Sequence, residues 1–133
     1  MVEGIVKKIM NTGINKYAKA YEVPSNEVQI KVTNDPNGTV LYTMCKNFKE
    51  VESVSFLQIM DKKMDIFQYE ALANPFLQKS LQLFAKETND DIENVCVFIL
   101  QVNISNNIGL SFYNKYKNGK NISLGKHLGE LGL

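Results

Sequence analysis

The eighteen residues from Val28 to Cys45, VQIKVTNDPNGTVLYTMC, contain two alternating runs around a turn. Val28, Ile30 and Val32 fall on one side of an extended chain, with Gln29, Lys31 and Thr33 on the other. Val40, Tyr42 and Met44 resume the alternation. Between the runs, Asn37-Gly38 supplies the positive backbone angle that a tight hairpin needs, and Pro36 marks the loop because it cannot donate to a ladder. A hairpin with one apolar face must cover that face, so the flanking segments should be helices that do so.

The segment before the hairpin fits this role. Residues 2–22 carry Val2, Ile5, Val6, Ile9, Gly13, Tyr17, Ala20 and Tyr21 at three- and four-residue spacing, which predicts a helix. Lys7, Lys8, Asn11, Asn15, Lys16 and Lys19 fall mostly on its other side. Pro24 stops it by pushing Val23 out of helical dihedrals. Gly13 lies on or near the apolar stripe and costs about 1 kcal/mol relative to alanine. It reads as a place where another backbone comes close.

After the hairpin, residues 46–52 read as a polar connector and residues 53–60, SVSFLQIM, as a third strand. Residues 64–69, MDIFQY, alternate and are read as a strand, though a helical stripe also fits. Asn74-Pro75 is a helix start, with asparagine as cap and proline at the first helical position. Phe76, Leu77, Leu81 and Phe84 then share a face, and the helix should run from about 75 to 88. Residues 95–102, VCVFILQV, are apolar on both alternating faces, as a central strand should be. A turn at 105–107 leads to a partner strand at 108–116. Asn118-Gly119 turns the chain again, and Leu124, Leu128 and Leu131 mark one face of a short C-terminal helix. No internal repeat is visible.

The fold expected is α+β in a single domain of residues 1–133. It has a mainly antiparallel five- to six-stranded sheet, with an N-terminal helix, a central helix and a short C-terminal helix packed on it. The order helix, strands, helix, strands, helix resembles that of secretion-chaperone folds. The likeness is one of element order and carries no residue over.

Composition excludes several functions. Net charge is +1, so no global field gathers nucleic acid or an anionic membrane. All fifteen basic residues are lysine. Without arginine there is no planar fork to grip phosphate or guanine, and no arginine finger. Fifteen asparagines accompany the lysines. Both residue types have A/T-rich codons, which suggests a low-G+C bacterium or its virus. No apolar stretch approaches the roughly 20 residues of a membrane span, and no signal peptide is visible. Cys45 and Cys96 each sit in an apolar run and read as buried thiols of a reducing, cytoplasmic compartment.

Chemistry has few places to lie. His127 is the only histidine, and with Cys45 or Cys96 it would be the base of a small enzyme. Two cysteines and one histidine at distant positions make no zinc pattern, and residues 90–93 lack the spaced oxygens of a calcium loop. No cofactor or metal is expected. Tyr113, Lys115, Tyr116, Lys117 and Lys120 mix rings with positive charge, as a site for a small anionic or nucleotide-like ligand would. As an edge hairpin the same residues guard against unwanted pairing. Leu124, Leu128 and Leu131 either dock on the sheet or receive a partner.

The expected function is therefore non-enzymatic binding of a protein partner, of the adaptor, chaperone or inhibitor type, by a chain that also self-associates. A ligand binder using the Tyr/Lys hairpin and a small enzyme using His127 are the alternatives.

Overall fold

A computed structural model describes residues 2–55, 73–102, 107–114 and 119–132. Helix α1 (Val2–Ala20) leads to strands β1 (Val28–Asn34), β2 (Val40–Lys46) and β3 (Lys49–Ser55). Helix α2 (Asn74–Glu87) leads to β4 (Val95–Gln101), β5 (Ile108–Asn114), β6 (Lys120–Ser123) and helix α3 (Leu124–Glu130). The six strands form one antiparallel sheet in the order β3-β2-β1-β4-β5-β6. The α+β architecture read from the sequence is the one observed.

The hairpin pairs β1 with β2 from Val28 opposite Lys46 to Asn34 opposite Val40. Its loop is built by Asp35 as much as by Asn37-Gly38. The Asp35 carboxylate accepts from the backbone N–H of Asn37 and Thr39 at 2.9 and 2.8 Å. The Gly38 N–H closes the turn on the Asp35 carbonyl at 3.0 Å, and Gly38 takes φ +88°.

The three helices among the described residues cover one face of the sheet. Val28, Ile30 and Val32 of β1, Tyr42 and Met44 of β2, and Val95, Val97 and Ile99 of β4 point into this layer. So do Ile108, Leu110 and Phe112 of β5, and all are buried against the helices. Burial of each large apolar side chain stabilises the fold by about 1.5–3 kcal/mol. Among the described residues no helix is long and apolar enough to cross a membrane.

Several boundaries differ from the sequence reading, each for a physical reason. Helix α1 ends at Ala20, because Glu22 adopts φ +54° and the Val23 N–H reaches back to the Ala18 carbonyl at 3.0 Å. That six-to-one bond is a Schellman stop. It swings Tyr21 out to solvent, where its ring stacks on Tyr17 with centroids 4.6 Å apart. Asn74 is the first residue of α2 and Ala73 is its cap. The Asn74 side chain is engaged elsewhere, accepting from the Tyr42 hydroxyl at 2.8 Å. The connector read at 46–52 is a turn at Asn47-Phe48 followed directly by β3, whose charged side chains are those of an edge strand. The rest of the third strand (56–60) and the strand read at 64–69 lie outside the described residues.

The structure also contains a repeat that the sequence hides. Helix α1 buries residues 6, 9, 10, 13, 14, 17 and 18; α2 and its cap bury 73, 76, 77, 80, 81, 84 and 85. Each position is matched by one 67 further on. Glu22 and Asn89 both adopt φ +54°, and the Asp90 N–H bonds the Ala85 carbonyl as Val23 bonds Ala18. Short 3-10 turns at Ser25–Glu27 and Ile92–Asn94 then feed β1 and β4. The two halves, each a helix followed by three strands, are related by a pseudo-two-fold axis between β1 and β4. The pairing of Ile30 with Ile99 and of Val32 with Val97 obeys that axis. Between residues 6–34 and 73–101, the identities at this offset are Ala18/Ala85, Lys19/Lys86 and Val28/Val95. What the halves share is burial, which many residue types satisfy.

Candidate functional site

Alternation along the strands sends every second side chain to the face away from the helices. On that face β1 carries Gln29, Lys31 and Thr33, β2 carries Leu41, Thr43 and Cys45, and β4 carries Cys96, Phe98 and Leu100. Strand β5 adds Gly109, Ser111 and Tyr113, and β6 adds Asn121 and Ser123. Among the described residues no helix lies on this face. Leu41, Phe48, Val102 and Tyr113 are exposed there.

Three rings meet on it. Phe48 stands edge-to-face with Phe98, centroids 5.2 Å apart, and Phe98 does the same with Tyr113 at 5.7 Å. Phe48 reaches this position from the β2–β3 turn, where Asn47 and Phe48 both have positive φ, +51° and +65°. Two left-handed residues in a two-residue hairpin turn ordinarily mean Asn-Gly. Here the second place is held by a phenylalanine whose ring is 49% exposed. The turn is pinned from below: the Phe48 N–H donates to the buried Gln29 side chain at 2.7 Å, and the Asn47 N–H to the Glu27 carbonyl at 2.8 Å.

Beside the rings lies a concavity of about 510 Å³, in the size range of ligand sites. Gly109 and Ser111 form its floor on β5. Leu100 and Phe48 form an apolar wall, and Asn121 and Ser123 form a polar one. Tyr113 and Val102 close its ends. Among the described residues no side chain lining it carries a charge. Ser111 donates to the Asn121 carboxamide oxygen at 2.6 Å. Nearby, Lys31 pairs with Glu50 at 3.0 Å; burial pulls the Lys31 pKa down, but Glu50 outweighs it and the net shift is upward.

The residues singled out in the sequence are distributed over both faces. Tyr113 lies on the face opposite the described helices. Lys120 lies on the other, 3.5 Å from Glu130 and 4.0 Å from Glu87. Lys115, Tyr116 and Lys117 lie outside the described residues. Leu124 and Leu128 are buried in the chain's own core and Leu131 is half-buried against it. The concavity itself was missed. Its signal in the sequence is IGLSFYN (108–114), in which Gly109 and Ser111 are the small members of the face opposite Ile108, Leu110 and Phe112.

His127 occupies a separate, smaller cleft of about 90 Å³ between α2, α3 and the β5–β6 ladder. Its Nε2 is 2.8 Å from the Ser80 hydroxyl. Ser80 donates its own proton to the Phe76 carbonyl at 2.8 Å, so the ring must donate through Nε2. Its Nδ1 then carries the lone pair, makes no hydrogen bond, and stands 3.8 Å from Glu130 Oε2. Burial lowers the His127 pKa; Glu130 opposes this and Lys120 adds to it. Hydroxyl, imidazole and carboxylate stand in a row, but Ser80 is 1% exposed and its proton is committed to the helix. A nucleophile needs a free, reachable oxygen.

The thiols are equally quiet. Burial pushes Cys45 up to about 11 and raises Cys96 as well, so both are protonated at neutral pH. Cys45 is buried, while Cys96 is partly open. Ellman's reagent is expected to titrate Cys96 slowly in the native protein and Cys45 only on unfolding. Rapid modification of Cys45 would contradict its burial. Among the described residues no cluster of three His, Cys, Asp or Glu side chains could hold a metal.

No protein-family model matches the chain, and no curated protein or solved structure matches it significantly.

Proposed function

We propose that this chain is a non-enzymatic, cytoplasmic binding protein that engages a protein partner through the sheet face opposite the described helices. The observation that carries this reading is Phe48. A left-handed backbone costs a residue with a Cβ about 1–2 kcal/mol. The edge-to-face contact with Phe98 returns about 0.5–1.5 kcal/mol. In the free chain the two nearly cancel, and glycine would serve the turn as well. Strained residues of this kind cluster at ligand clamps. Covering the exposed part of the ring with a partner adds a share of the about 1.5–3 kcal/mol that full burial of a phenylalanine provides.

The test is Phe48→Gly. Its urea-unfolding free energy is expected within about 1 kcal/mol of wild type, since lost contact and relieved strain offset. Binding is read with random 12-residue peptides displayed on phage and selected on the immobilised protein. Enriched peptides carrying aromatic or aliphatic anchors are expected, and the glycine variant should bind them at least about tenfold more weakly. A selection that enriches nothing, or equal binding by the variant, refutes the reading. So does a dimer in light scattering that Phe48→Gly dissociates, since the face would then be occupied by a second copy.

A further inference from the structure

We infer that Asn37-Gly38 is a self-modification site, at which the folded chain converts its own asparagine to aspartate and isoaspartate, and that Asp35 holds the rate down. This stands apart from the partner-binding reading and rests on the β1–β2 turn alone.

Asparagine loses its carboxamide nitrogen when the backbone nitrogen of the next residue attacks the side-chain Cγ. Hydroxide removes the proton from that nitrogen, the new N–Cγ bond closes a cyclic imide, and ammonia leaves. Water then opens the imide at either carbonyl. One opening gives aspartate; the other reroutes the backbone through the side chain and gives isoaspartate. A side chain on the following residue shields the attacking nitrogen, and glycine has none. Asn37 and Gly38 are both exposed, so hydroxide and water reach them.

The nucleophile, however, is tied down. The Gly38 N–H donates to the Asp35 carbonyl at 3.0 Å. A hydrogen-bonded amide gives up its proton only when the local structure opens. The Asp35 carboxylate accepts from the N–H groups of Asn37 and Thr39, at 2.9 and 2.8 Å, on either side of Gly38 in the chain. A negative charge so placed disfavours an anionic nitrogen between those two. From the helix layer, Gln78 donates to the Gly38 carbonyl at 3.1 Å and fastens the turn to α2. Attack therefore waits on opening of this turn, and Asp35 supplies most of what keeps it shut.

Either product adds one negative charge, which takes the formal net charge from +1 to zero, where chains associate more readily. Isoaspartate also inserts a carbon into the backbone of the turn and disturbs the bonds from Asp35 and Gln78.

The experiment incubates the full chain in mildly alkaline buffer, native and in urea, and follows tryptic fragments by chromatography and tandem mass spectrometry. Residues 32–46 form one fragment, and Asn118-Gly119 falls in another, 118–120. Asn37 should convert in the native chain about tenfold more slowly than in urea, the effect of a turn that opens at about 1.4 kcal/mol. Native Asp35→Ala should convert at least about threefold faster than native wild type, and within about twofold of wild type in urea. Asp35→Asn, which keeps an acceptor but no charge, should also outpace wild type, and it carries the test if Asp35→Ala loses its native circular dichroism. If native wild type shows no conversion at Asn37 once the urea sample is fully converted, the modification site falls. If native and urea rates are equal, or neither Asp35 variant outpaces wild type, the role of Asp35 falls.

Discussion

Phe112→Ala should lower the stability of the folded chain by about 3–5 kcal/mol, the range for deleting a buried aromatic ring and leaving its cavity. Phe112 is 1% exposed and packs between Phe84 and His127, with ring centroids at 5.3 and 5.2 Å. Domains of this size are held together by about 5–15 kcal/mol in total. The substitution therefore removes about a fifth or more of the margin and should shift the urea midpoint by at least about 1 M. The next residue supplies the contrast. Tyr113 points to the opposite face and is 38% exposed, so Tyr113→Ala should cost about 1 kcal/mol or less. If Tyr113→Ala proved the costlier of the two, the facing of β5 would be wrong, and with it the lining of the concavity.

The second large effect is acid-dependent and centres on His127. The ring is 95% buried, and is faced by Ser80 and Glu87 from α2, by Glu130 from its own helix and by Lys120 from β6. Its pKa is lowered in the folded chain, chiefly by desolvation, whereas the unfolded chain takes up the proton near the ordinary value of 6.5. Below about pH 6.5 the unfolded state thus binds more protons than the folded state, so stability falls as pH falls and is fully present above that value. Urea midpoints measured from pH 7.5 to 5 should decline for wild type, and the decline should be shallower for His127→Phe. Identical slopes for the two proteins would rule out this histidine as the source. At neutral pH, Ser80→Ala strands the Nε2 proton inside the core. It should cost about 1–3 kcal/mol, the usual penalty for a buried donor left without its acceptor.

How much could be read without coordinates depended on where side chains go. β1, β2 and β4 were legible because alternation or an unbroken apolar run marks a strand with one or both faces covered. α2 was legible to within a residue from Asn74-Pro75. The role assigned to Asn74 was not, because Tyr42 lies 32 residues away in sequence and claims its side chain. β3 was displaced because Lys49, Glu50 and Glu52 resemble a loop until they are placed on the rim of a sheet. The site was harder still. Phe48 looked like one apolar residue in a polar connector; only the two positive φ angles at Asn47 and Phe48 give it significance. Gly109 could not be read either, because what excludes a Cβ there is Val102, seven residues back in the chain and across the β4–β5 ladder. Tyr113 and Lys120 stand seven residues apart on successive strands, yet pleating and ladder register put them on opposite sides of the sheet.

The near-equivalence of the two inner strands has a consequence for handling the protein. β1 and β4 offer each other the same antiparallel edge, and each is preceded by a helix with the same buried positions. A half from one molecule can therefore dock on the complementary half of another with little change in contacts. Refolding from denaturant at high concentration favours such exchange, and dilute refolding keeps each chain closed on itself.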